Sequence, residues 1–343
     1  MRTARLEDGE VRIQDVEPPE PGYEEAVVTM ASAGVCHSDL HLMKGDWAGV
    51  PRTGPLGHEG IGVVTALGPG ADRYVAVGDR VILGLGGAGG GDWCGACEHC
   101  LGGKPRLCRQ AKALMGTFAE AMAVKAKALV PLPDAVGDAE VSLACGGLTA
   151  YGAVKKLVQF GVVPGSPVAI VGAAGGLGHY AVQIAKRFGY KVVGVDVGPE
   201  RVAFVESLGV EVALDAGEAL AAVKRRFAGG VHASLVFSSR LAGFTLGLAL
   251  LRTSGIFVSV GIPANDEGAI PVSPWELFRK DPLIMSSAVG TVQDMRELVQ
   301  LAADGDVRTH VSRTGALSEL PAIFAELEAG AYTGRAVITD LTT

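Results

Sequence analysis

Val168-Ala169-Ile170-Val171, followed by Gly172-Ala173-Ala174-Gly175-Gly176-Leu177-Gly178, is the stretch on which the fold of this 343-residue chain turns. Four apolar, mainly β-branched residues read as a strand buried on both faces. The glycine turn leads into residues 179–188, whose apolar positions recur at helical spacing. Gly189 ends that helix, and residues 191–195 form a second strand that closes on Asp196. Strand, glycine turn, helix, strand, then an acid 18 residues beyond the last glycine is the dinucleotide-binding βαβ pattern. Gly172, Gly175, Gly176 and Gly178, with Leu177 among them, let the backbone approach a pyrophosphate, and the helix N-terminus adds positive potential. A bare glycine triplet marks only a tight turn. The flanking strands and the acid make this one a nucleotide site.

Downstream, strand-like and helix-like segments keep alternating at 210–214, 216–227, 233–237, 241–251 and 255–260, with a last strand at 283–289. That alternation predicts an α/β domain, a parallel sheet with helices on both faces. Amphipathic patterns at 293–303 and 318–328 then lead into Gly334-Arg335-Ala336-Val337-Ile338. Upstream, the texture differs. Val11-Arg12-Ile13, Pro18-Pro19-Glu20-Pro21-Gly22 and Ala26-Val27-Val28 are short apolar runs set between proline turns, and residues 61–67 and 79–83 continue the style. This part of the chain reads as a compact β-rich domain.

Composition bounds the function. With 48% hydrophobic and 20% charged residues there is material for a core and no case for disorder. A net charge of −7 argues against a nucleic-acid partner. No apolar run is long enough to span a membrane, and residues 1–10 are charged where a secretory signal needs an apolar core. A cytoplasmic location follows, and in a reducing compartment the six cysteines are better explained by metal than by disulfides.

Cys94, Cys97, Cys100 and Cys108 are spaced C-x2-C-x2-C-x7-C, which closes a tetrahedral zinc shell with no position left for substrate. A ferredoxin run would have three residues before its last cysteine and a proline after it. Here there are seven, and Arg109 follows. The glycine-dense stretch 84–91 is no phosphate loop, because cysteines and not a helix follow it; it reads as a mobile linker beside a metal site. A second donor set is spread over Cys36-His37-Ser38-Asp39-Leu40-His41 and Gly57-His58-Glu59. Cys36 and His58 suit zinc but lack a third ligand. Cys145, in L-A-C-G-G-L-T-A-Y, would otherwise be a small buried hydrophobe.

These motifs, together with Gly45-Asp46-Trp47 and G-A-A-G-G-L-G-H, resemble over essentially the whole length a zinc-dependent alcohol dehydrogenase of the medium-chain dehydrogenase/reductase superfamily, microbial NAD-linked type. The resemblance implies a GroES-like catalytic domain from residues 1–146 and 286–343, carrying a structural-zinc lobe at 94–108, around a Rossmann domain at 147–285. It implies two zinc ions per chain and NAD. Cys36, His58 and Cys145 would hold the catalytic zinc, with Glu59 behind the metal and Asp39 orienting His58. Ser38 and His41 would relay the proton, and Trp47 would wall the substrate pocket. Asp196 would take the adenosine ribose with Arg201 beside it, and His37, Thr149 and Arg335 would also contact the cofactor. A homo-oligomer is implied, a tetramer before a dimer.

The chain departs from the family after Cys108, where the segment is short, and at Gly290-Thr291-Val292, where an arginine is common. Substrate therefore stays open between simple alcohols and polyols, aromatic alcohols or formaldehyde adducts. A non-catalytic NAD-binding protein would not need all three ligands and a relay, and a zinc-ribbon nucleic-acid module conflicts with the acidic charge.

Overall fold

A computed structural model describes residues 1–83, 90–270 and 272–343. Most of the glycine-dense stretch 84–91 lies outside the described residues. The chain divides into two compact units, Met1–Leu148 with Val289–Thr343, and Thr149–Ala288. The seams expected after residues 146 and 285 fall inside helix Gly146–Gln159 and strand Leu283–Ser286. Ser286 still pairs with Ser259, which keeps that strand whole within the second unit.

The second unit is built on a six-stranded sheet. Its strands in chain order are Pro167–Val171, Lys191–Asp196, Val212–Asp215, Val231–Val236, Leu251–Ser259 and Leu283–Ser286. All their pairings are parallel. In space the third, second and first strands are followed by the fourth, fifth and sixth. This is the doubly wound order whose reversal, beside the first strand, is where nucleotides bind. Val171, Val193, Val195, Phe244 and Phe257 form part of a buried cluster under the helices. The Val- and Ile-rich runs make such strands because both faces are covered.

The first unit carries a seven-stranded sheet. Its long member Glu25–Val35 pairs antiparallel with Gly60–Leu67, Ala121–Lys125 and Arg335–Asp340. Arg335–Asp340 also pairs, in parallel, with Val311–Ala316. A second, three-stranded sheet joins Glu10–Asp15, Arg2–Glu7 and Gly54–Pro55. The charged N-terminal run forms a strand because Ala4 and Leu6 alternate onto the core face while Arg5 and Glu7 do not. Phe118 meets Phe324 edge-on at 6.2 Å in the core beneath.

Candidate active site

Strand Glu25–Val35 ends at Cys36, whose extended backbone caps helix His37–Lys44. Asp39, in the first turn, is fully buried. One of its oxygens accepts the Cys36 backbone N–H at 3.3 Å, and the other lies 3.0 Å from His58 Nδ1. A buried carboxylate is expensive unless its partners are fixed, and here both hydrogen bonds go to metal-ligand candidates. With Nδ1 committed to Asp39, His58 has Nε2 left for a metal. Cys36, His58, Glu59 and Cys145 bring one donor atom each within 4.8 Å of one another.

The electrostatics of this cluster favour a cation. A hydrogen bond from the Cys145 thiol holds Cys36 well below the usual thiol range, against the opposing effect of burial. Burial works against a charged His58, yet Asp39, Cys145 and Cys36 around it raise its pKa well above the ordinary value. Burial pushes the Glu59 carboxyl up to about 7, while the Arg335 guanidinium pulls it down. Arg335, expected at the pyrophosphate, is 3% exposed and is ion-paired to Glu59. Glu59 Oε1 has no hydrogen-bond partner among the described residues. A thiol drawn toward thiolate, a locked imidazole and an unspent carboxylate oxygen fit zinc.

Ser38 lies on the same helix and is half-buried. The His41 ring stands 4.8 Å from Trp47 and 5.8 Å from His37, so three expected site residues form one ring cluster. Asp46, which the sequence reading did not single out, lies 2.7 Å from His41 Nδ1. Its only signal was its place in Gly45-Asp46-Trp47, just past the end of the helix.

In the lobe, all four cysteines also bring their sulfurs within 4.8 Å of one another. Cys94 and Cys100 are 3.9 Å apart, against roughly 3.8 Å for two sulfurs on one tetrahedral zinc. Backbone N–H groups of Ala96 and Cys97 point at the Cys94 sulfur and bring its thiol down to about 6. The Gln110 N–H donates to the Cys108 sulfur at 3.3 Å. Such amide cages stabilise thiolates and are what a zinc knuckle needs. The shortened segment after Cys108 pairs Lys112 with Asp92 and then returns to Gly57, whose carbonyl accepts from Gly116 at 2.7 Å.

In the second unit, the turn after Pro167–Val171 leads into helix Gly178–Arg187. A Cβ at Gly178 would sit 2.7 Å from the Ala173 Cα, so only glycine lets the helix start this close to the strand. Asp196 ends the second strand and accepts the Ala174 and Val197 N–H groups at 2.7 and 2.9 Å. Arg201 stands 3.9 Å away. The acid is thus tied to the glycine turn. Thr149 opens this unit and is buried in helix Gly146–Gln159.

Two family models match the chain, an alcohol dehydrogenase GroES-like domain over residues 22–134 and a zinc-binding dehydrogenase over 176–304. An alcohol dehydrogenase of Geobacillus stearothermophilus is 37% identical, with 96% of each chain covered. The chain belongs to the zinc-dependent alcohol dehydrogenases. The crystal structure of the alcohol dehydrogenase of Aeropyrum pernix superposes with a TM-score of 0.88 at 32% identity, covering 98% and 99% of the two chains. A cobalt- and zinc-bound alcohol dehydrogenase from Pyrobaculum aerophilum gives 0.86 at 26% identity, with 98% and 99% covered. This alcohol dehydrogenase, of the medium-chain dehydrogenase/reductase superfamily, oxidises and reduces alcohols with zinc and NAD.

Proposed function

We propose that the chain transfers hydride reversibly between a primary or secondary alcohol and NAD, working at Cys36, His58 and Cys145. The observation that carries this reading is the donor cluster with His58 locked through Asp39. Bound there, zinc would supply a Lewis acid for the alcohol oxygen, while NAD would supply the hydride acceptor. Ser38 takes the alcohol proton by hydrogen bonding, since a hydroxyl both donates and accepts. His41 passes it toward solvent, and Trp47 walls the pocket. Glu59 balances Arg335 behind the ligands. Gly172, Gly175, Gly176, Leu177 and Gly178 bind the pyrophosphate, with His37, Thr149 and Arg335 as further cofactor contacts. The four lobe cysteines take a second zinc that shapes structure. Reduction of NAD against primary, secondary, aromatic and polyol alcohols tests this; no turnover with any of them by the two-zinc protein sinks it.

Asp196 should set the cofactor preference. Its carboxylate accepts the ribose hydroxyls of NAD but faces the 2′-phosphate of NADP. Two like charges about 4 Å apart cost about 1 kcal/mol in water and about 4 kcal/mol at a surface-like dielectric. Preference for NAD in kcat/KM is expected to be at least about fivefold, and Asp196→Asn, which keeps an acceptor for Ala174, should narrow it. Equal efficiency with both cofactors in the unaltered enzyme removes Asp196 from this role.

The reading includes a cytoplasmic homo-oligomer, a tetramer before a dimer. Supporting it, Trp275 and Phe278 are 65% and 80% exposed on helix Pro274–Lys280, their rings stacked at 5.7 Å. Leu283 and Ile284 are exposed on the edge strand of the same sheet. Exposed aromatics just before the outermost strand of the six-stranded sheet invite a second copy. Trp275→Asp with Phe278→Asp should lower the mass found by light scattering, and an unchanged mass places the interface elsewhere.

A further inference from the structure

The geometry points to Asp46 as the positioning residue of His41, holding the imidazole in the tautomer whose Nε2 accepts a proton; this rests on the relay reading of Ser38 and His41. Helix His37–Lys44 ends at Gly45, whose φ of 72° lies in the left-handed region. That turn lets the Asp46 N–H donate to the His41 carbonyl at 3.1 Å and folds residue 46 back over the last helical turn. The Asp46 carboxylate thereby reaches His41 Nδ1 at 2.7 Å. The two side chains are 11% and 20% exposed, so water competes little for the bond. Trp47, the next residue, lays its ring 4.8 Å from the imidazole at an interplanar angle of 30° and restricts its rotation.

Other groups around His41 do not duplicate this role. His37 is the other titratable ring beside it, at 5.8 Å. Lys44, one turn along the helix, is ion-paired with Glu328. A carboxylate accepts only, so Nδ1 must carry the hydrogen and Nε2 is left as the acceptor. When a proton arrives at Nε2, the positive charge forms beside the Asp46 carboxylate. Without Asp46 nothing fixes the hydrogen on Nδ1, and the ring can carry it on Nε2, where it cannot accept.

Single-turnover alcohol oxidation with saturating NAD tests this in Asp46→Asn, His41→Gln and the double variant. The asparagine keeps the size of the side chain but can offer its own N–H to Nδ1, which favours the wrong tautomer. Asp46→Asn is expected to slow the turnover about tenfold, a part of what general-base contributions usually amount to, with KM for the alcohol within about twofold. Asp46→Glu should recover part of the rate. In the His41→Gln background, Asp46→Asn should add no loss, because residues acting through one group are not additive. His41→Gln itself should be slowest at low pH and partly rescued by small diffusible bases.

A slow His41→Gln beside an Asp46→Asn at the unaltered rate overturns this inference and leaves the relay standing. Additive losses in the double variant overturn it as well. A His41→Gln variant at the unaltered rate overturns the relay and this inference together. Nitrogen-15 NMR of the unmodified enzyme reads the tautomer without relying on a variant that folds. Hydrogen on Nδ1 supports the assignment, and hydrogen on Nε2 with Nδ1 bare overturns it.

Discussion

Cys145→Ser is expected to lower kcat/KM by at least about 1,000-fold and to leave one zinc per chain where the unaltered enzyme holds two. A serine hydroxyl stays protonated at neutral pH and makes a poor zinc ligand, whereas a cysteine beside a metal gives up its proton. The loss should be local. Cys145 sits between the 3-10 turn Asp138–Ala144 and helix Gly146–Gln159, and its replacement is nearly isosteric. Packing of Leu143 and Leu148 on either side is untouched, and both are fully buried. The thermal midpoint should therefore move by only a few degrees. Zinc analysis and calorimetry on one preparation check the claim. Activity near the unaltered level removes Cys145 from the ligand set, and lost activity with two zinc ions retained makes it a packing residue.

Cys97→Ser should do the reverse. It should cost stability first, at least about 3 kcal/mol in the first unit, or roughly 6–12 °C in thermal midpoint. The lobe has almost nothing else to hold it. Its helix Glu98–Leu101 has four residues and buries none of them, and Leu101 and Leu107 are 76% and 43% exposed. Its polar brace is the Lys127 ammonium, 2.6 Å from Asp92 and 4.9 Å over the Trp93 ring. Structural zinc sites of this kind supply folding free energy outright. Limited proteolysis should cut the variant between residues 94 and 108. An unchanged midpoint with no new cleavage means the four thiols do not share a structural metal.

Much of this site could be read from the residues, and the limits have physical causes. The glycine turn and Asp196 were visible because the strand and helix periods around them change abruptly, and a local pattern needs no tertiary information. Helix Pro199–Ser207 was not, since its apolar positions make only a weak stripe and just Val205 is buried. The cysteine lobe was legible from spacing alone. The Arg335–Glu59 ion pair was not, because 276 residues of chain separate the partners and no periodicity connects them. Asp46 was missed for a different reason. Its contact with His41 depends on the left-handed turn at Gly45, and an acid just past a helix end ordinarily reads as a solvated cap.

The sheet of the first unit has a consequence for how the enzyme is made. Ala336 registers with Val35, the residue before Cys36, so the strand that supports the first metal ligand gains this neighbour only when residues 335–340 exist. Contacts that distant in sequence form slowly. The unit of residues 149–288 is continuous and can fold while the ribosome is still adding residues 289–343. During that interval only the Ala33–Val35 end of the strand has an edge open to another nascent chain, since Ala121–Lys125 already pairs along Glu25–Thr29. The completed sheet, and the framed thiol–imidazole cluster with it, requires residues 335–340. Metal capture at Cys36 accordingly follows the synthesis of that strand, and chaperone demand falls on the unit that will hold the metal.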